Sequence, residues 1–91
     1  KFNLTINGVK EQTALSIQFG NISRFYADLI KLEYMFKNEL IKNVIYLCPT
    51  KVFEKKSNSG NLCVFERCLK EINLFTEIIS VPIIFIGIES E

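Results

Sequence analysis

From Val81 to Ile88 the chain reads Val-Pro-Ile-Ile-Phe-Ile-Gly-Ile, apolar at every position. A strand with apolar side chains on both sides is expected to be covered on both, as in helix-flanked, largely parallel sheets. As a helix the run is too short to cross a bilayer, which takes about 20 residues. It therefore demands partner strands and helices to cover them.

The rest of the sequence supplies both. Leu4, Ile6 and Val9, then Leu15, Ile17 and Phe19, mark two short strands. Asn7-Gly8 is a hairpin-turn signal between them, and a turn nearer Lys10 to Gln12 stays open. Gly20-Asn21 ends the second strand, and Asn21 suits the N-cap of a helix from about Ile22 to about Lys37. Ile22, Phe25, Leu29, Leu32 and Phe36 form its apolar stripe, with Arg24, Asp28 and Lys31 on the opposite side. Val44 to Cys48 is a strand stopped by Pro49-Thr50, and Lys51 to Gly60 reads as a basic, polar loop. A second helix is expected from about Asn61 to about Leu74, burying Leu62, Phe65, Leu69 and Ile72 and exposing the pairs Glu66–Lys70 and Arg67–Glu71. The fold class is α/β: a mixed central β-sheet flanked by helices, in the order β-β-α-β-α-β.

Composition narrows the function. With 91 residues the chain is one small domain, and its 48% hydrophobic and 23% charged content fits a packed protein. A net charge of +1 argues against holding nucleic acid by bulk electrostatics, although local basic residues can still read a sequence. The three cysteines, Cys48, Cys63 and Cys68, have no disulfide spacing, which favours a reducing compartment. The sequence has no His and no Cys-x-x-Cys pair, which disfavours zinc and removes His-based nucleophile pairs. There is no signal-peptide pattern, so a cytoplasmic location is expected, with no membrane partner. Because the chain starts at Lys1, a fragment lacking an N-terminal region is also expected.

One stretch carries more. Ser16-Ile17-Gln18-Phe19-Gly20-Asn21, followed at once by the helix Phe25-Tyr26-Ala27-Asp28-Leu29-Ile30-Lys31-Leu32, resembles the catalytic strand and following helix of type II restriction endonucleases of the BglII kind. Val44 to Cys48, the loop Ser57-Asn58-Ser59-Gly60-Asn61, the helix at Phe65-Glu66 and the strand at Val81-Pro82-Ile83 follow in the same order. The resemblance covers roughly Phe2 to Glu89 and implies a restriction-endonuclease-like, PD-(D/E)xK nuclease core. In such a core an Asp and a Glu bind Mg²⁺, which activates water against the phosphodiester of double-stranded DNA. The complete protein is then expected to be a homodimer, because a twofold protein matches a palindromic site.

The sequence departs from that chemistry. Ser16 stands where the family has Glu, two positions before Gln18 and so on the same strand face. Upstream, at the place of the family's Asp, stand only Asn3, Asn7 or Gly8. The resemblance thus assigns Ser16 and Gln18 to the catalytic positions and Ser16 to the metal position, with weak or no Mg²⁺ binding expected. Gln18 has an alternative reading, as a strand polar group satisfied by a neighbour. For DNA, the resemblance points to Asn58, Ser59 and Asn61 for bases and to Lys55 and Lys56 for phosphates. Asn21, Ser23 and Arg24 at the helix start are further DNA candidates. The plain reading of the loop is a solvated connection whose last residue caps a helix. The competing functions are an impaired endonuclease, a non-catalytic DNA-binding module, and a protein-interaction module on the same scaffold.

Overall fold

A computed structural model describes residues 8–57 and 62–89. The elements are β1 (Gly8–Lys10), β2 (Thr13–Ile17), α1 (Ile22–Lys37), β3 (Asn43–Pro49), α2 (Lys51–Ser57), α3 (Phe65–Leu74) and β4 (Ile83–Ile88). The sheet order is β1-β2-β3-β4, with β1 antiparallel to β2 and the pairs β2–β3 and β3–β4 parallel. This is the expected mixed α/β arrangement with one additional short helix, α2.

Local physics explains where the boundaries fall. The hairpin turns at the later of the two sites. Lys10 pairs with Thr13, and Glu11 and Gln12 between them take positive φ angles of 51° and 67°. Two successive left-handed residues match the twist of a tight hairpin. The basic loop expected from Lys51 is instead helical as far as Ser57, because Thr50 Oγ1 accepts the Phe53 amide at 3.2 Å and starts a turn. Helix α3 starts at Phe65 rather than near Asn61. Its buried centre is Cys68, while Leu69 is exposed, because α3 is turned about one position from the expected face.

The core lies on one face of the sheet. Ala14, Val44, Tyr46 and Cys48 meet Phe25, Leu29, Leu32 and Met35 of α1 and the thiols of Cys63 and Cys68. Phe25 sits edge-on to Tyr46 with ring centroids 5.8 Å apart, and Tyr46 meets Phe85 at 5.6 Å. All three cysteines are free and buried. Gly87 lets α3 and the Thr50 corner close on β4, since a Cβ there would meet Thr50 Cγ2 at 2.7 Å.

Among the described residues the other face is largely open. Leu15, Ile45 and Ile84 lie side by side in register, as do Ile17, Leu47 and Ile86. Ile84 is 62% exposed and Ile86 44%. The expectation that the last strand is covered on both faces is therefore not met: among the described residues α1 and α3 pack on the core side, and β4 is an edge strand.

Candidate nucleic-acid interface

Strand β2 is central, and its alternation puts Ala14, Ser16 and Gln18 on the core side. Gln18 lies one residue past the strand, yet its amide still bonds Leu47 O at 2.9 Å, so the ladder carries on to it. Ser16 and Gln18 therefore share a face at the end of the sheet, both almost fully buried.

The group that meets them is Asp28. Expected on the side of α1 away from its apolar stripe, Asp28 is instead buried, only 3% exposed. Its Oδ2 accepts Gln18 Nε2 at 2.9 Å and the Tyr46 hydroxyl at 2.6 Å, while Arg24 Nε stands 3.8 Å from Oδ1. Phe25, Asp28, Leu29 and Leu32 have the i, i+3, i+4, i+7 spacing of a buried stripe, so the signal for a buried Asp28 was present. Burial and the hydrogen bond to Asp28 push the Tyr46 hydroxyl far above its ordinary range, so it stays a protonated donor. The other end of the Gln18 amide is also engaged, since Oε1 accepts the Gly20 amide.

Magnesium takes hard, charged oxygen ligands. Ser16 offers a buried neutral hydroxyl, both ends of the Gln18 amide are engaged, and Asp28 already faces three donors. Among the described residues there is no group of three or more His, Cys, Asp or Glu side chains that could hold a metal ion. The residues described here do not fit a magnesium site.

Next to this polar end lies an open surface. Asn21, Ser23 and Arg24 are exposed at the start of α1, and Asn21 Oδ1 accepts the Arg24 amide at 3.2 Å as the expected N-cap. A shallow cleft of about 270 Å³ joins Asn21, Ile22 and Ser23 to Leu62 and Arg67. Arg67 was read from sequence only as half of an ion pair with Glu71. Its Nε stands 3.8 Å from Glu71 Oε2 with about half the side chain exposed, and it walls the cleft as well. Nothing in the one-dimensional pattern brought Arg67 to the start of α1. Lys55 is exposed on α2. Asn58, Ser59 and Asn61, and the side chain of Lys56, lie outside the described residues. The segment that follows them is anchored: Cys63 N donates to Gly20 O at 2.8 Å and Leu62 N to Glu54 Oε2 at 3.0 Å.

The mixed sheet, with polar groups buried at the end of its central strand and a helix start exposed beside them, has the fold of a restriction endonuclease by direct superposition. It superposes with a TM-score of 0.83 and 20% identity on the crystal structure of restriction endonuclease BglII complexed with a DNA 16-mer. That match covers 94% of this chain and 41% of the other. Residues 1–88 match the family model of restriction endonuclease BglII/BglIII, and the chain belongs to that family. No curated protein matches the sequence.

Proposed function

We propose that this chain is a DNA-reading core of the BglII type whose phosphodiester cleavage is impaired. The observation that carries the reading is Ser16. It stands in the central strand β2, shares a face with Gln18 and brings no charge, and the resemblance puts it at the position of the family's Glu. Catalysis in this family rests on a divalent ion that activates water and offsets charge on the phosphate. In this reading the catalytic positions are Ser16 and Gln18, and Mg²⁺ is held weakly or not at all.

The substrate class is double-stranded DNA, a reading supported by family membership and by the DNA in the similar structure. Asn21, Ser23 and Arg24 face the duplex from the start of α1. Asn58, Ser59 and Asn61 read base edges, and Lys55 and Lys56 meet phosphates. The complete protein works as a homodimer on a palindromic site, in the cytoplasm. Among the described residues no helix is long and apolar enough to cross a membrane.

Plasmid cleavage across a Mg²⁺ titration tests the chemistry. The unaltered chain leaves supercoiled DNA intact, and Ser16→Glu combined with an Asp at Asn3 or Asn7 restores measurable nicking. Robust Mg²⁺-dependent double-strand cleavage by the unaltered chain would overturn the impairment. Fluorescence anisotropy on duplexes tests the reading surface. Asn61→Ala costs about 1–3 kcal/mol on the preferred sequence. Loss of Lys55 or Lys56 weakens binding to every sequence and flattens its salt dependence.

A second reading draws on the bare aliphatic face of β2, β3 and β4, which suits a protein partner. Salt-insensitive behaviour towards every duplex would favour it.

A further inference from the structure

We propose that Asp28 is a positioning residue for DNA recognition: it fixes the Gln18 amide and, through Gly20, sets the start of α1 against the segment entering α3. The inference rests on the DNA reading above and deepens it.

An almost fully buried carboxylate carries a desolvation cost that its partners must offset. The partners of Asp28 come from three elements: Gln18 from the end of β2, Tyr46 from β3 and Arg24 from α1. An ionised carboxylate only accepts hydrogen bonds, whereas an amide donates from one end and accepts at the other. Asp28 therefore turns Gln18 Nε2 towards α1, which leaves Oε1 facing the Gly20 amide, where it accepts. Gly20 passes the constraint on, because its own carbonyl receives Cys63 N at 2.8 Å. Only Leu62 separates Cys63 from Asn61. At the same time Asp28 draws Arg24 back along α1, on the surface that carries Asn21 and Ser23. One buried carboxylate thus reaches both the start of α1 and the segment entering α3. The space is tight, since a Cβ on Gly20 would meet Gln18 Oε1 at 2.7 Å and Arg24 Cβ at 3.1 Å.

The test uses Asp28→Asn, which keeps the shape and removes the charge. Side-chain amide exchange of Gln18 is followed by NMR. Binding is measured to a duplex selected from a randomised pool and to its scrambled counterpart. Asp28→Asn should unfold cooperatively and bind scrambled duplex about as the parent does. Its preference for the selected duplex should fall about tenfold, 1.4 kcal/mol, and the Gln18 amide protons should exchange about tenfold faster. Preserved preference, or preserved protection of the Gln18 amide, would overturn the proposal. Should Asp28→Asn not fold, Gly20→Ala carries the test, because its added methyl displaces the same amide with Asp28 in place. If the unaltered chain shows no sequence preference, the DNA reading fails, and the proposed role of Asp28 in recognition fails with it. A parent with clear preference and an unaffected Asp28→Asn refutes the proposal alone.

Discussion

Tyr46 is the residue whose chemistry can be read most directly. It is fully buried, and its hydroxyl points at a carboxylate rather than at water. Removing it in Tyr46→Phe takes a donor from Asp28 and should lower stability by about 1–3 kcal/mol in chemical denaturation. Its proton is also linked to folding. The fold raises the hydroxyl's pKa, so the stabilisation is complete below about pH 10, where the unfolded tyrosine is still protonated. Above that pH the unfolded chain ionises first, and stability falls as pH rises. Thermal midpoints measured on either side of pH 10 should therefore drop on the alkaline side, with a shallower drop in Tyr46→Phe. What alkaline slope remains is assigned to Cys68, whose buried thiol is raised by its neighbours Cys48 and Cys63, and to Tyr26, whose hydroxyl donates to Glu71 Oε1 at 2.8 Å and is raised mainly by that bond. An equal slope in parent and variant would show that Tyr46 is not the linked group.

Among the elements, α1 and the approach to β4 are joined by one side chain. Glu33 Oε1 accepts the amides of Ser80 at 2.8 Å and Val81 at 2.9 Å, while Lys37 Nζ stands 3.8 Å from Oε2. Two backbone donors on one carboxylate fix where the chain turns into the edge strand. Glu33→Ala should cost about 1–3 kcal/mol and speed amide exchange at Ser80 and Val81 ahead of the rest of the molecule. Uniform exchange across the chain would refute that role. Much of this level was legible in the sequence. The strand at Val44, the helix from Ile22 and its Asn21 cap follow from periodicity and capping chemistry alone. Helix α2 did not, because its lysines and serine resemble loop composition, and the bond from Phe53 N to Thr50 Oγ1 that starts it is visible only in three dimensions. Asp28 is hidden for a related reason: its charge suggests the wet side, whereas its spacing with Phe25, Leu29 and Leu32 marks the buried one.

For the whole molecule, the legible part is β2 and its continuation to Gln18. Its alternation alone put Ser16 and Gln18 on one face, and they share it. What no local pattern could supply is convergence. Tyr46 and Arg67 reach the polar end from positions far along the chain, Tyr46 through the β2–β3 pairing and Arg67 through α3. The molecule also carries two unlike surfaces, a polar end and a bare aliphatic sheet face. A dye that fluoresces on apolar surfaces should bind the native chain before any unfolding transition, and Ile84→Lys should reduce that signal with the fold retained. Signal appearing only on melting would mean that the face is covered in solution.

Among the described residues strand β4 has a neighbour on one side only, and it reads Ile-Ile-Phe-Ile-Gly-Ile, six residues without charge or proline. Short, neutral, strongly β-forming segments at a free edge are the material of steric zippers. Pro82 before the strand and Glu89 after it act as gatekeepers against growth along that edge. Concentrated protein should therefore convert slowly to fibrils nucleated at β4, faster in Glu89→Val, so that the strand closing the sheet also limits how long the fold survives in a crowded solution.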